Sequence, residues 1–247
     1  MAQYPAMGDR RVAISPALAP PPDRSAPVFL GAVMKRLWPA RSRTRLFAID
    51  RSVMTAIHPT IADALPGAST RARALFFVLS GALLTAIAAQ ISFHLPWTPV
   101  PITGQTFAVL VIGAGLGARR GAASQMLYIT LGAIGLPFYA DGDGGWSAAT
   151  GPTAGYLVGF VVAAAAVGWL AERRQDRNLA LSVHAMLAGS AIIYVFGVAW
   201  LAHSLKVSTA EAVELGMAPF VIGDFVKLLA AGAILPAAWR LVSDNKP

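Results

Sequence analysis

Between residues 74 and 239 the chain repeatedly runs for about 18 residues or longer with almost no charge, the length at which an α-helix crosses a bilayer. Six such runs are expected to be spans, at 74–94, 103–118, 121–138, 153–171, 179–203 and 217–239; the second is short and Gly-rich. Only 13% of the residues are charged against 56% hydrophobic, and the mean hydropathy is +0.59. That is too little charge to coat a soluble domain of this length. The expected fold class is an all-α polytopic membrane protein with six transmembrane helices.

The formal net charge of +8 resembles a nucleic-acid signal until it is mapped along the chain. Residues 1–73 hold eleven Lys/Arg against four Asp/Glu, whereas residues 74–247 hold nine against eight. The basic character belongs to one tail, and no nucleic-acid partner is expected. That tail also holds nine of the seventeen prolines and the cluster "RSRTR" (41–45), a composition that buries little apolar surface and is expected to be disordered. Two readings stand for it: an upstream piece without function, the true start being Met34 or Met54, or a basic tail on anionic membrane lipid. The expected division is thus an extension at 1–73, a membrane domain at 74–240 and a short tail at 241–247.

Orientation follows from the basic loops. With the N-terminus cytoplasmic, 18 of the 20 Lys/Arg fall inside, leaving Lys206 in an outer loop and Lys227 in the last span. This is a positive-inside pattern. Both termini are expected in the cytoplasm, in a bacterial cytoplasmic membrane. The outer loops are then 95–102, 139–152 and 204–216, where Trp97 and Trp146 suit anchoring at headgroup depth.

The last run, "APFVIGDFVKLLAAGAIL" (218–235), carries Asp224 and Lys227 where apolar residues are the rule. At i and i+3 they share a helix face. Counted from Pro219 at 1.5 Å per residue, they lie roughly 8 and 12 Å into the bilayer. Each would cost about 2.5–3.5 kcal/mol at the bilayer centre. Three readings stand: the floor of an outward-opening pocket, a buried ion pair that orients helices, and a proton relay. The other spans offer no obvious carboxylate for a relay. A carboxylate accepts from N–H groups and an ammonium donates to oxygen, so the pair suits a cyclic urea or amide. In the first run Ala82 and Ala86 form a small-xxx-small pair that lets another helix approach closely, with packing inside the chain the default.

Much chemistry is set aside. The chain has no cysteine, which excludes disulfides, thiolate nucleophiles and Cys-ligated metals. It has no Walker A sequence, no GxSxG and no HExxH. His94 is expected at the interface, and none of the four histidines is expected to ligate metal. No enzymatic reaction and no cofactor are expected; any ATP hydrolysis would fall to separate subunits.

Four segments occur in one order: "PVPITGQTFAVL" (99–110), "GLGARRGAASQMLYITLGAIGLPFYA" (115–140), "GPTAGYLVGF" (151–160) and "PFVIGDFVKLLAA" (219–231). As a set they resemble the BioY family, the biotin-specific S-components of energy-coupling factor (ECF) transporters, over about residues 74–240. The resemblance implies a six-helix protein that captures biotin from outside, in a pocket capped by the first outer loop. It implies that Asp224 and Lys227 contact the ligand, Asp224 accepting a ureido N–H and Lys227 donating to the ureido oxygen or orienting Asp224. Thr103, Gln105 and Tyr156 are further candidates for lining the site. Ala82 and Ala86 match the motif by which such components dock on a transmembrane coupling subunit joined to two ATPases; a homo-oligomer is the other assembly. Two departures stand out. The family lacks a tail like 1–73, and the loop "YADGDGGWSAATGP" (139–152) offers no Arg or Lys to a ligand carboxylate. The rival functions are capture of another small vitamin, proton-coupled carriage through Asp224, and a structural role with no ligand.

Overall fold

A computed structural model describes residues 59–64 and 71–244. The expectations for the remainder of the 1–73 extension and for residues 245–247 lie outside the described residues. The first element is a four-residue helix, α1 (Ile61–Ala64). At its start the Thr60 N–H and hydroxyl both donate to Asp63 Oδ2, at 3.1 and 2.9 Å, while the Asp63 N–H returns to the Thr60 carbonyl. The long helices follow: α2 (Arg71–Ala89), α3 (Gln105–Leu116) and α4 (Ala118–Ala133). A short α5 (Trp146–Ala149) precedes α6 (Ala154–Ala171) and α7 (Leu179–Leu205). The chain closes with α8 (Thr209–Gly216) and α9 (Val221–Asp244).

Four of these, α2, α6, α7 and α9, are long and apolar enough to cross a membrane. The second and third expected runs appear as α3 and α4, which at 12 and 16 residues are shorter. Gly117, between them, has φ +86°, and a Cβ there would lie 2.7 Å from Glu172 Oε1. A helix cannot continue through that conformation. Instead the Ala118 N–H at the start of α4 donates to the Glu172 carboxylate at 2.9 Å. The first run also ends early: α2 stops at Ala89, and Ser92–Phe93 form β1, antiparallel to β2 (Ile102–Thr103) with Ser92 opposite Thr103.

The helices reverse direction in turn, which gathers the polar connections at two ends. At one end Arg120 bridges to Asp63, Arg177 donates to the Pro59 carbonyl at 3.1 Å, and buried Asp176 takes the Trp239 indole N–H. Burial holds the Asp176 carboxyl above its usual range. At the other end Gln90 reaches the Tyr139 carbonyl, and Thr98 donates to the Leu215 carbonyl at 2.7 Å. Between the ends, α6 runs through the middle of the bundle with Ala163, Ala164 and Val167 fully buried. Gly113 of α3 approaches Ala164 so closely that a Cβ would stand 2.7 Å from its carbonyl oxygen. Close approach of this kind is how helices pack in a bilayer, where burying apolar surface supplies no drive.

Candidate functional site

The segments 90–104, 134–153 and 206–220 meet at one end of the bundle, over a cavity of about 470 Å³. That volume falls within the range of small-molecule sites, about 300–1,000 Å³. Asp224 and Lys227 both line it, as do Thr103, Gln105 and Tyr156. All five residues singled out in the sequence for ligand contact therefore face one space.

The first turns of α9 place the charged pair. Lys227 Nζ donates to Asp224 Oδ1 at 2.7 Å and to the Thr103 carbonyl at 2.8 Å. The remaining partners of Asp224 are hydroxyls: Thr106 of α3 reaches Oδ1 at 3.3 Å, and Tyr194 of α7 donates to Oδ2 at 2.5 Å. The carboxylate is thus tied to α3 and α7 as well as to its own turn, and 11% of its side chain is exposed against 24% for Lys227. A buried charge is tolerated when it is paired and its lone pairs are filled. Here the charge is paired with Lys227, and three donors in all reach its two oxygens. The ion-pair reading and the pocket reading coincide: the pair joins α9 to β2, α3 and α7, and it is also wall.

A second polar chain runs beside it. The Thr103 hydroxyl donates to Gln105 Oε1 at 2.8 Å, and the Gln105 amide nitrogen donates to the Tyr128 hydroxyl. Thr103 thereby serves both networks, through its side chain and its carbonyl. The Tyr156 hydroxyl is committed elsewhere, donating to the Gly216 carbonyl at 2.7 Å. Its ring lines the cavity while its oxygen fastens α8 over it.

Sequence reasoning missed Tyr194, Thr106 and Tyr128. Tyr194 sits in the mostly apolar "SAIIYVFG" (190–197), and Thr106 directly follows Gln105. His94 is a further surprise. It lies beyond α2, lines the cavity, and places Nε2 at 3.1 Å from Asp141 Oδ2. Asp141 also accepts from the Ser92 hydroxyl at 2.6 Å, which joins β1 to the 134–153 segment. Nearby, burial raises the pKa of the Tyr139 hydroxyl, which donates to the Ile129 carbonyl.

Of the two readings of Ala82 and Ala86, packing inside the chain and docking on a partner, their burial in this chain supports the first. These side chains are 1% and 5% exposed, turned inward onto the chain's own helices, and Thr85 beside them exchanges hydrogen bonds with Gln125 of α4. The small row packs the bundle, and the exposed face of α2 carries Leu75, Leu79, Leu83 and Ile87 instead.

A model of the BioY family matches residues 59–244. A Rhizobium etli protein named biotin transporter BioY is 34% identical over 163 residues, spanning 63% of this chain and 87% of its own length. Proteins of the same name from Thermotoga maritima and Rhodobacter capsulatus are 38% and 40% identical over 154 and 158 residues. These matches span 61% and 60% of this chain, and 86% and 81% of the relatives. A crystal structure of the S-component for biotin from an ECF-type ABC transporter superposes with a TM-score of 0.64 at 21% identity. It covers 69% of this chain and 92% of that one, a likeness of fold.

Proposed function

The chain belongs to the BioY family, and from that premise we propose that it captures biotin in the cavity under segments 90–104, 134–153 and 206–220, for uptake across the membrane. It is a transport protein and not an enzyme. Its mechanism is that of the substrate-specific component of an ATP-driven ECF importer, in which a separate coupling subunit and two ATPases supply the driving force. Helices α2, α3, α4, α6, α7 and α9 all belong to the membrane body, the cavity facing outward and both termini lying in the cytoplasm. The distribution of arginine supports this orientation: Arg119 and Arg120 in the first turn of α4, and Arg173, Arg174 and Arg177 in the connection from α6 to α7, lie at the end opposite the cavity.

The observation that carries the reading is the charged pair at the floor. The Asp224 carboxylate and Lys227 ammonium, held 2.7 Å apart, put an anionic acceptor beside a cationic donor. A ureido group carries both complements, two N–H donors and one carbonyl oxygen. Asp224 Oδ2 has one hydrogen-bond donor, Tyr194, and keeps room for a ureido N–H. Lys227 spends two of its three protons on Asp224 and Thr103, leaving the third for the carbonyl. For proton carriage the arrangement is poor, since the partners of Asp224 are an ammonium and two hydroxyls rather than a second titrating carboxylate.

The test is equilibrium binding of labelled biotin to the purified protein, wild type beside Asp224→Asn and Lys227→Ala, with thermal unfolding to confirm that each is folded. Each change should weaken binding more than about tenfold, or 1.4 kcal/mol. A folded wild type that binds no biotin would overturn the assignment. For the mechanism, uptake in cells should stop on ATP depletion while the proton gradient is clamped.

A further inference from the structure

The cavity is electrically uneven, and the unevenness bears on which form of the ligand it takes. At the floor, Asp224 and Lys227 cancel each other, with side chains only 11% and 24% exposed. The opposite rim is built from the connecting segments, where His94 and Asp141 are 57% and 52% exposed. Asp143 lines the same rim and is likewise exposed. Among the described residues that line the cavity, Lys227 is the one Lys or Arg.

The remaining group able to carry positive charge there is His94, and Asp141 Oδ2 stands 3.1 Å from its Nε2. The imidazole and that carboxylate are thus partners of each other. Among the described residues, Asp143 Oδ1 accepts only from the neighbouring Gly144 N–H at 2.7 Å, and no cation there cancels its charge at the rim. A charge-balanced floor rich in donors and acceptors suits a neutral polar head. The ligand's tail must then leave through a rim that is acidic on balance.

Resting on the biotin reading above, we propose that this rim gives the ligand's carboxylate no favourable partner, so that biotin carrying its carboxyl as an amide binds at least as well as the free acid. The substrate class is thereby widened from the free vitamin to biotin conjugated through its side chain. The free acid brings a carboxylate toward Asp141 and Asp143 and gains no cation in return, whereas an amide tail brings no charge. In a solvated rim the like-charge penalty is small, amounting to about two- to threefold in affinity per carboxylate at low salt.

The experiment is competition against labelled biotin by unlabelled biotin and by its primary amide, on the full-length protein. Wild type and Asp143→Asn are compared at low and high ionic strength. The amide should compete within about threefold of the acid, or better. Asp143→Asn keeps the side-chain acceptor for Gly144. It should tighten the acid about two- to threefold and leave the amide unchanged, and the difference should fade as salt is added. An amide more than threefold weaker than the acid would overturn the inference while leaving the biotin reading intact. A shift of acid and amide alike in Asp143→Asn would overturn it in the same way. Failure of labelled biotin itself to bind would instead remove the reading beneath it.

Discussion

Tyr194 carries one hydroxyl into an apolar stretch of α7 and spends it on Asp224 Oδ2, at 2.5 Å. Removing that oxygen alone keeps the ring and the packing. Tyr194→Phe should therefore lower biotin affinity about fivefold to tenfold while the protein stays folded, because a hydrogen bond to a charged group is worth about 1.5–3 kcal/mol and water replaces part of it. Titration calorimetry of the single variant checks this. At the opposite end, Asp63 offers a pH test. Burial works against its charge, but hydrogen bonds from Arg120 and Thr60 outweigh that, and its carboxyl is held below the usual value of 3.8. A depressed carboxylate stabilises the fold above its unfolded pKa, and the benefit disappears as pH falls through the lower folded value. Asp63→Asn should thus cost stability at pH 7, and the gap to wild type should narrow as the pH is taken below 3.8. Because Asp63 is more than a third exposed, solvent screening keeps the cost below about 1 kcal/mol. Denaturation curves at neutral and acid pH measure it.

Helix α2 shows what hydropathy reads well and what it does not. Its existence was legible because 19 residues pass with little charge, but the direction of its small-residue row was not. Ala82 and Ala86 look alike whether they face a partner or the chain's own core, and it is their burial beside the Thr85–Gln125 contact that favours the core. Ala86→Leu should accordingly destabilise the isolated protein by about 1–3 kcal/mol through overpacking, seen as a lower melting temperature in detergent with no partner present. An unchanged melting temperature would return the row to docking. Elsewhere the misses share a cause. Hydropathy separates α3 from α4 but misplaces their ends by a few residues, because it is blind to the positive φ of Gly117 between them. Helix α8 escaped notice inside an expected loop, although Ser208 capping the Glu211 N–H marks its start. In the site, Asp224 and Lys227 stood out against an apolar background, whereas a tyrosine in the same background reads as one more hydrophobe. The five residues chosen from sequence do line one cavity, but the carboxylate's hydroxyl partners come from α3 and α7, and sequence spacing cannot show that kind of proximity.

For the whole molecule, orientation is open to direct measurement because the chain has no cysteine. A single cysteine placed at Trp146, which is exposed beside the cavity, should react with an impermeant maleimide on intact cells. One placed at Arg174, in the connection between α6 and α7, should react only after permeabilisation. The reverse pattern would turn the protein over and close the cavity to the outside. One contact ties the molecule together more than its size implies. Lys227 grips the carbonyl of Thr103, Thr103 pairs with Ser92 across β1 and β2, and Ser92 holds Asp141. The floor of the cavity and its cover are therefore linked by a continuous line of bonds. With biotin seated on this pair as proposed, thermodynamic reciprocity would govern delivery: whatever lifts the cover away from Lys227 must loosen the ligand by the same factor by which the ligand resists the lifting. A tight grip on the vitamin and a readiness to surrender it are two readings of one free energy.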